Sequence, residues 1–117
     1  MRLLLIEDDA RIGSFVEKGL AQEGHVVDWA QTGPDGLHEL VSGKHELAIV
    51  DVMLPGKSGL ELANLLTARR PGTPVIVMSG YTEETLDVPG MSTPIALLQK
   101  PFTPRELRRR IREVLDR

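Results

Sequence analysis

The sequence contains no cysteine. That excludes a disulfide scaffold, a thiolate metal centre and a cysteine nucleophile, and it fits a reducing compartment. Aromatic residues make up only 3%, and Phe15, Trp29, Tyr81 and Phe102 argue against a stacking platform for single-stranded nucleic acid. Positive charge is not in excess: 14 Lys and Arg face 17 Asp and Glu, a formal charge of −3. Direct nucleic-acid binding is therefore not expected. Long apolar runs are missing as well. Leu3–Ile6 meets Glu7-Asp8-Asp9, too soon for a signal-peptide core or a membrane span, so a cytoplasmic protein without membrane contact is expected. There is no internal repeat, low-complexity tract or linker. What is there is a 117-residue chain with 41% hydrophobic and 26% charged residues, the composition of a globular protein. Such a length predicts one domain over residues 1–117, burying roughly two-thirds of its unfolded surface.

Short apolar runs alternate with longer amphipathic stretches. Leu3–Ile6, Leu47–Val50 and Val75–Met78 are continuously apolar, which marks strands covered on both faces. Ile95–Leu98 is a weaker fourth, and the mixed His25–Ala30 suits an edge strand. Ala10–Glu23 carries Ile12, Phe15, Val16 and Leu20 at helical spacing, and Gly24 can end it. Pro34–Ser42 is a second helix, closed by Gly43. Leu60–Arg70 follows Ser58, with Glu61 in the capping-box position. Leu107, Ile111, Val114 and Leu115 line one face of the last helix, which Thr103-Pro104-Arg105-Glu106 opens. Glu83–Val88 predicts a short fourth helix stopped by Pro89-Gly90, with an irregular connection to Pro94. Five strands alternating with five helices predict an α/β domain with a parallel sheet.

In such sheets ligands bind beyond the carboxyl ends of the strands. Glu7, Asp8 and Asp9 follow the first strand, Asp51 follows the third, Ser79 ends the fourth and Lys100 follows the fifth. Clustered oxygen ligands without sulfur suit a hard cation such as Mg²⁺, which takes one or two carboxylates and shares a phosphate. Crowded carboxylates repel unless a cation lies between them. Lys100 offers a point charge to a phosphoryl oxygen and Ser79 a hydrogen bond. Any one polar residue at a strand end is ordinarily just a group that meets water. Four ends with complementary chemistry point to a phosphate-and-magnesium site centred on a carboxylate.

Leu4-Leu5-Ile6-Glu7-Asp8-Asp9, Asp51-Val52-Met53-Leu54-Pro55-Gly56-Lys57-Ser58-Gly59, Met78-Ser79-Gly80 and Lys100-Pro101-Phe102 occur in that order. With these motifs the whole chain resembles the receiver domain of two-component response regulators. The resemblance implies a doubly wound, flavodoxin-like three-layer sandwich with strand order 2-1-3-4-5. It also implies that Asp51 is the phosphoacceptor, taking a phosphoryl group from a histidine kinase or phosphotransfer protein. Mg²⁺ would sit on Asp8, Asp51 and the backbone carbonyl of Met53, with Glu7 acting through water. Ser79 takes the position of the switch hydroxyl, and Lys100 that of the lysine contacting the phosphoryl group. Asp9, one place beyond the acid pair, reads as a helix-start carboxylate. Lys57 and Tyr81 flank the site as tuning residues.

The product would add up to about two negative charges. Ser79 and Lys100 moving toward them would bias a face built from the fourth helix, fifth strand and fifth helix, a contact for a homodimer or an output domain. Where the family usually carries Tyr or Phe as a rotameric switch, this chain has Leu97, which predicts altered output coupling. The chain would act only on its own phosphorylation, not as an enzyme on other substrates. A receiver-like interaction module that is never phosphorylated is the alternative. An aspartyl-phosphate hydrolase would need an acid where Met53 stands, and a flavin phosphate would be repelled by the acidic first turn. The amino-terminal two-thirds reads like receivers of transcriptional regulators, and the MSGYT and LLQKPFTP segments like receivers of hybrid kinases. His25, His38 and His45 are expected at the surface or at strand edges, Phe15 and Phe102 in the core. The arginines of the last helix are read as a solvated face, with a partner contact as the sharper alternative.

Overall fold

A computed structural model describes residues 1–52, 59–79, 96–100 and 102–115. The elements are β1 (Arg2–Ile6), α1 (Ala10–Gln22), β2 (Val26–Ala30), α2 (Gly33–Val41), β3 (Leu47–Asp51), α3 (Gly59–Arg69), β4 (Val75–Ser79), β5 (Ala96–Gln99) and α4 (Pro104–Leu115). The expected short helix over Glu83–Val88 and its irregular connection lie outside the described residues, so α4 corresponds to the helix expected as the fifth.

The strands form one sheet in the order β2-β1-β3-β4-β5, parallel throughout. β1 is an interior strand, apolar on both faces. Leu3 and Leu5 enter one core with Val16 and Leu20 of α1 and Leu107, Ile111 and Val114 of α4. Leu4 and Ile6 enter the other, with Leu40 of α2 and Leu62, Ala63 and Leu66 of α3. This is the expected three-layer α/β arrangement, with α1 and α4 on one face and α2 and α3 on the other among the described residues.

Capping signals set the helix boundaries. Asp9 Oδ1 accepts hydrogen bonds from the backbone N–H groups of Arg11 at 2.8 Å and Ile12 at 3.2 Å and so starts α1. Gly24, at φ 87°, turns the chain at the far end of that helix in a conformation that disfavours a side chain. Thr103 Oγ1 accepts from the N–H of Glu106 at 3.1 Å and opens α4.

Two expectations about side chains need correction. Phe15 is not a core residue: it is 44% exposed, and its ring lies tilted against Phe102 with centroids 6.1 Å apart. Helical spacing marks a face, and α1 turns the edge of its apolar face toward solvent at this position. His45 is not at the surface. It is 4% exposed, with Nε2 2.7 Å from Asp28 Oδ2, and Asp28 is also held by Arg2 Nε at 2.7 Å. Asp28 thus offsets part of the cost of burying the imidazole.

Candidate functional site

The site lies where β1, β3, β4 and β5 end. Glu7 follows β1 and is fully buried. Asp51 closes β3 at 3% exposure, and Ser79 closes β4, also fully buried. Parallel strands in register bring these ends to one level: Ile6 pairs with Val50, Asp51 with Met78 and Ser79 with Gln99. Lys100 follows Gln99 directly. Its backbone N–H donates to the carbonyl of Ser79 at 2.7 Å, which fixes the point from which its side chain departs.

The ammonium of Lys100 donates to Asp51 Oδ1 at 3.0 Å and to Glu7 Oε1 at 3.2 Å. Burial pulls the lysine pKa down. The hydrogen bond it donates to Asp51 and the charges of Glu7 and Asp51 outweigh burial and hold it above its ordinary value. Burial is also the largest influence on Glu7. With the hydrogen bond and charge of Asp51 added, and Lys100 opposing, its carboxyl is pushed up to about 8. One ammonium thus does not neutralise the carboxylates gathered around it.

Asp8 completes the set. It is exposed, and it offers a carboxylate oxygen that, with one from Glu7 and one from Asp51, falls in a group whose atoms all lie within 4.8 Å of one another. Three hard oxygen donors with surplus negative charge, and no sulfur or imidazole among them, fit a hard divalent cation. The described residues contain a second group at that spacing, Asp28, Glu39 and His45. There Asp28 is already engaged by Arg2 and His45, so it reads as an ion-pair network.

The structure therefore gathers Glu7, Asp8, Asp51, Ser79 and Lys100 at one end of the sheet. Asp9 stands apart from this group as the α1 cap. Leu97 lies in β5 in register with Val77. Met53, Lys57 and Tyr81 lie outside the described residues. Sequence reading missed Trp29, whose Nε1–H donates to the Glu7 carbonyl at 2.9 Å. The one signal it left was a large aromatic on an otherwise plain edge strand.

A family model described as the response regulator receiver domain matches residues 3–112. The transcriptional regulatory protein CusR of Escherichia coli is 34% identical, over 100% of this chain and 52% of its own length. An uncharacterized transcriptional regulatory protein of Bacillus subtilis, YbdJ, is 37% identical over 98% of this chain and 51% of its own length. The chain thus spans about half the length of the curated relatives it matches. Among solved structures, a CheY-like receiver domain protein from Methanospirillum hungatei superposes with a TM-score of 0.86 at 31% identity, covering 98% of this chain and 93% of that one.

Proposed function

The chain belongs to the response regulator receiver domain family of two-component signalling, and from that premise we propose that Asp51 is its phosphoacceptor and that residues 1–117 act as one receiver domain. The observation that carries this reading is the position of Lys100, whose ammonium bridges Asp51 and Glu7 at the open end of the sheet. A cation there orients the Asp51 carboxylate and meets the charge of an incoming phosphoryl group.

A carboxylate oxygen of Asp51 attacks the phosphorus of a phosphohistidine on a histidine kinase or phosphotransfer protein. The new P–O bond forms as the P–N bond breaks, and the imidazole leaves with its electron pair and takes up a proton. Lys100 stabilises one phosphoryl oxygen, and the Ser79 hydroxyl donates to another. Bound Mg²⁺, held by Asp8 and Asp51 with Glu7 behind them and the Met53 carbonyl as a further ligand, would neutralise charge on the transferring group. Positioning and electrostatics are then the whole of the catalysis. Water later attacks the acyl phosphate and returns the carboxylate, so the chain acts on its own modification and is not an enzyme for other substrates.

Phosphorylation places new charge on Asp51 at the end of β3, within reach of Ser79 at the end of β4 and Lys100 after β5. Their shift toward it biases the surface formed by β5, α4 and the segment between β4 and β5. That surface would meet a second copy or an output domain. No helix among the described residues is long and apolar enough to cross a membrane.

The test is Mg²⁺-dependent labelling with a small acyl phosphate, read by intact mass. Wild type gains one phosphoryl group and Asp51→Asn gains none. Labelling that survives the substitution overturns the assignment. No labelling of wild type favours a receiver-like module that is never phosphorylated.

A further inference from the structure

Glu7 is tied to β2 through both of its backbone polar groups. Its N–H donates to the carbonyl of Ala30 at 3.0 Å, and its carbonyl accepts the indole N–H of Trp29 at 2.9 Å. Two residues on, Asp9 is tied to α1: its side chain caps the helix, and its carbonyl accepts from the N–H of Gly13 at 2.9 Å. Only Asp8 lies between these anchors. The acidic turn is therefore a one-residue span, held by β2 on one side and by α1 on the other.

Trp29 reaches the turn because α1 makes room for it. A Cβ atom on Gly13 would come within 1.9 Å of the indole ring, so the helix and the ring pack too closely there for any side chain. The ring is partly buried and packs against the core beneath α1. A side chain needed only to fill that space would not require a polar edge. The indole N–H instead meets the carbonyl on the very residue whose carboxylate lies in the site.

We infer that Trp29 is a positioning residue for the acidic turn, its N–H holding the Glu7 backbone so that the Glu7 and Asp8 carboxylates converge on a divalent cation. The inference rests on the metal reading proposed above and assigns Trp29 no contact with the ion. Partners that orient metal ligands from outside the coordination shell commonly change affinity by tenfold or more when removed. Trp29 is also the sole tryptophan of the chain. Its emission is an intrinsic report on this hydrogen bond.

The experiment replaces Trp29 with β-(benzothienyl)alanine, which keeps the ring shape and has sulfur in place of the N–H, and separately with Phe. Mg²⁺ affinity is read by titration calorimetry and stability by the urea midpoint. Leu66→Ala, in the opposite core, serves as the control for general destabilisation. Both Trp29 replacements are expected to weaken Mg²⁺ binding about tenfold, and the benzothienyl chain to keep a near-wild-type midpoint. Leu66→Ala should lower the midpoint and leave Mg²⁺ affinity unchanged. Wild-type tryptophan emission should change on Mg²⁺ addition and saturate at the calorimetric affinity. A benzothienyl chain that binds Mg²⁺ as tightly as wild type overturns the inference and leaves the metal site standing. So does an emission spectrum that stays constant while the heat shows the site filling. Should the benzothienyl chain fail to fold, the Phe variant decides by the same comparison. Wild type that takes up no Mg²⁺ overturns the metal reading and this inference with it.

Discussion

Lys100 and Asp51 meet across a strand that belongs to neither of them: Nζ lies 3.0 Å from Oδ1, although β4 stands between β3 and β5 in the sheet. The lysine side chain spans the end of β4, and its own N–H is anchored on the Ser79 carbonyl at 2.7 Å. The ammonium thus reaches past the end of β4, where the buried Ser79 lies, to a buried carboxylate.

That arrangement gives the lysine a role different from that of the carboxylates it touches. Lys100→Ala is expected to slow acyl-phosphate labelling of Asp51 by about 10²-fold, the usual cost of deleting one group that stabilises transition-state charge. Mg²⁺ affinity should not weaken, because the ammonium competes with a cation for Glu7 and Asp51. Labelling rates by mass spectrometry and calorimetric titration check the two halves. Parallel loss of both would mean that Lys100 supports the architecture of the site rather than the phosphoryl group.

Asp8 and Asp9 are adjacent in sequence and should behave oppositely. Asp8→Asn is expected to weaken Mg²⁺ binding at least about tenfold and to leave the urea midpoint nearly unchanged, since the exposed carboxylate would be a metal ligand and is not packed in the core. Asp9→Ala is expected to cost about 1 kcal/mol of stability by uncapping α1, with a much smaller effect on Mg²⁺. Urea unfolding and calorimetry on both variants decide.

Two glycines of α1 should part in the same way. Gly13→Ala drives a methyl group into the Trp29 ring and is expected to destabilise by roughly 1–3 kcal/mol. Gly19→Ala meets nothing closer than Pro104 Cβ at 4.0 Å and is expected to stabilise the helix by roughly 0.5–1 kcal/mol. Adding Trp29→Ala to Gly13→Ala should recover part of the loss, which a double-mutant cycle measures directly.

Asp28 should dominate part of the acid-unfolding limb. The Arg2 hydrogen bond, opposed by burial and helped by His45, holds its carboxyl below the ordinary value of 3.8. A depressed carboxyl adds stability that is fully present above its unfolded value and is lost as pH falls through the folded one. Asp28→Asn is therefore expected to be about 1 kcal/mol less stable at neutral pH, and the gap to wild type should close below about pH 4. Urea midpoints across the acid range test this; a gap independent of pH would mean that packing, not charge, holds Asp28.

Much of this was legible in sequence because burial of a parallel strand writes itself locally. Leu3–Ile6, Leu47–Val50 and Val75–Met78 are apolar throughout because both faces are covered, and each expected strand differs from the observed one by a residue at an end. Thr103 was readable as a cap, and Asp9 as a helix-start carboxylate, because such residues act on backbone within three residues of themselves. The family came from ordered motifs at the strand ends. Trp29, His45 and Phe15 were misjudged or missed because their partners lie elsewhere: Glu7 and Gly13 for the first, Asp28 for the second, Phe102 for the third.

The sequence by itself therefore determined which segments pair into the sheet, where the helices start, and which residue types stand at the carboxyl ends of the strands. Those properties follow from periodicity and short-range hydrogen bonding. Only the tertiary structure decided which of three consecutive acids is buried, capping or exposed, and which carboxylates share Lys100. It also decided that an indole from the edge strand holds the turn between them. Such assignments depend on Coulombic and packing contacts between groups tens of residues apart, and those contacts exist only once the sheet has brought its strand ends to one level.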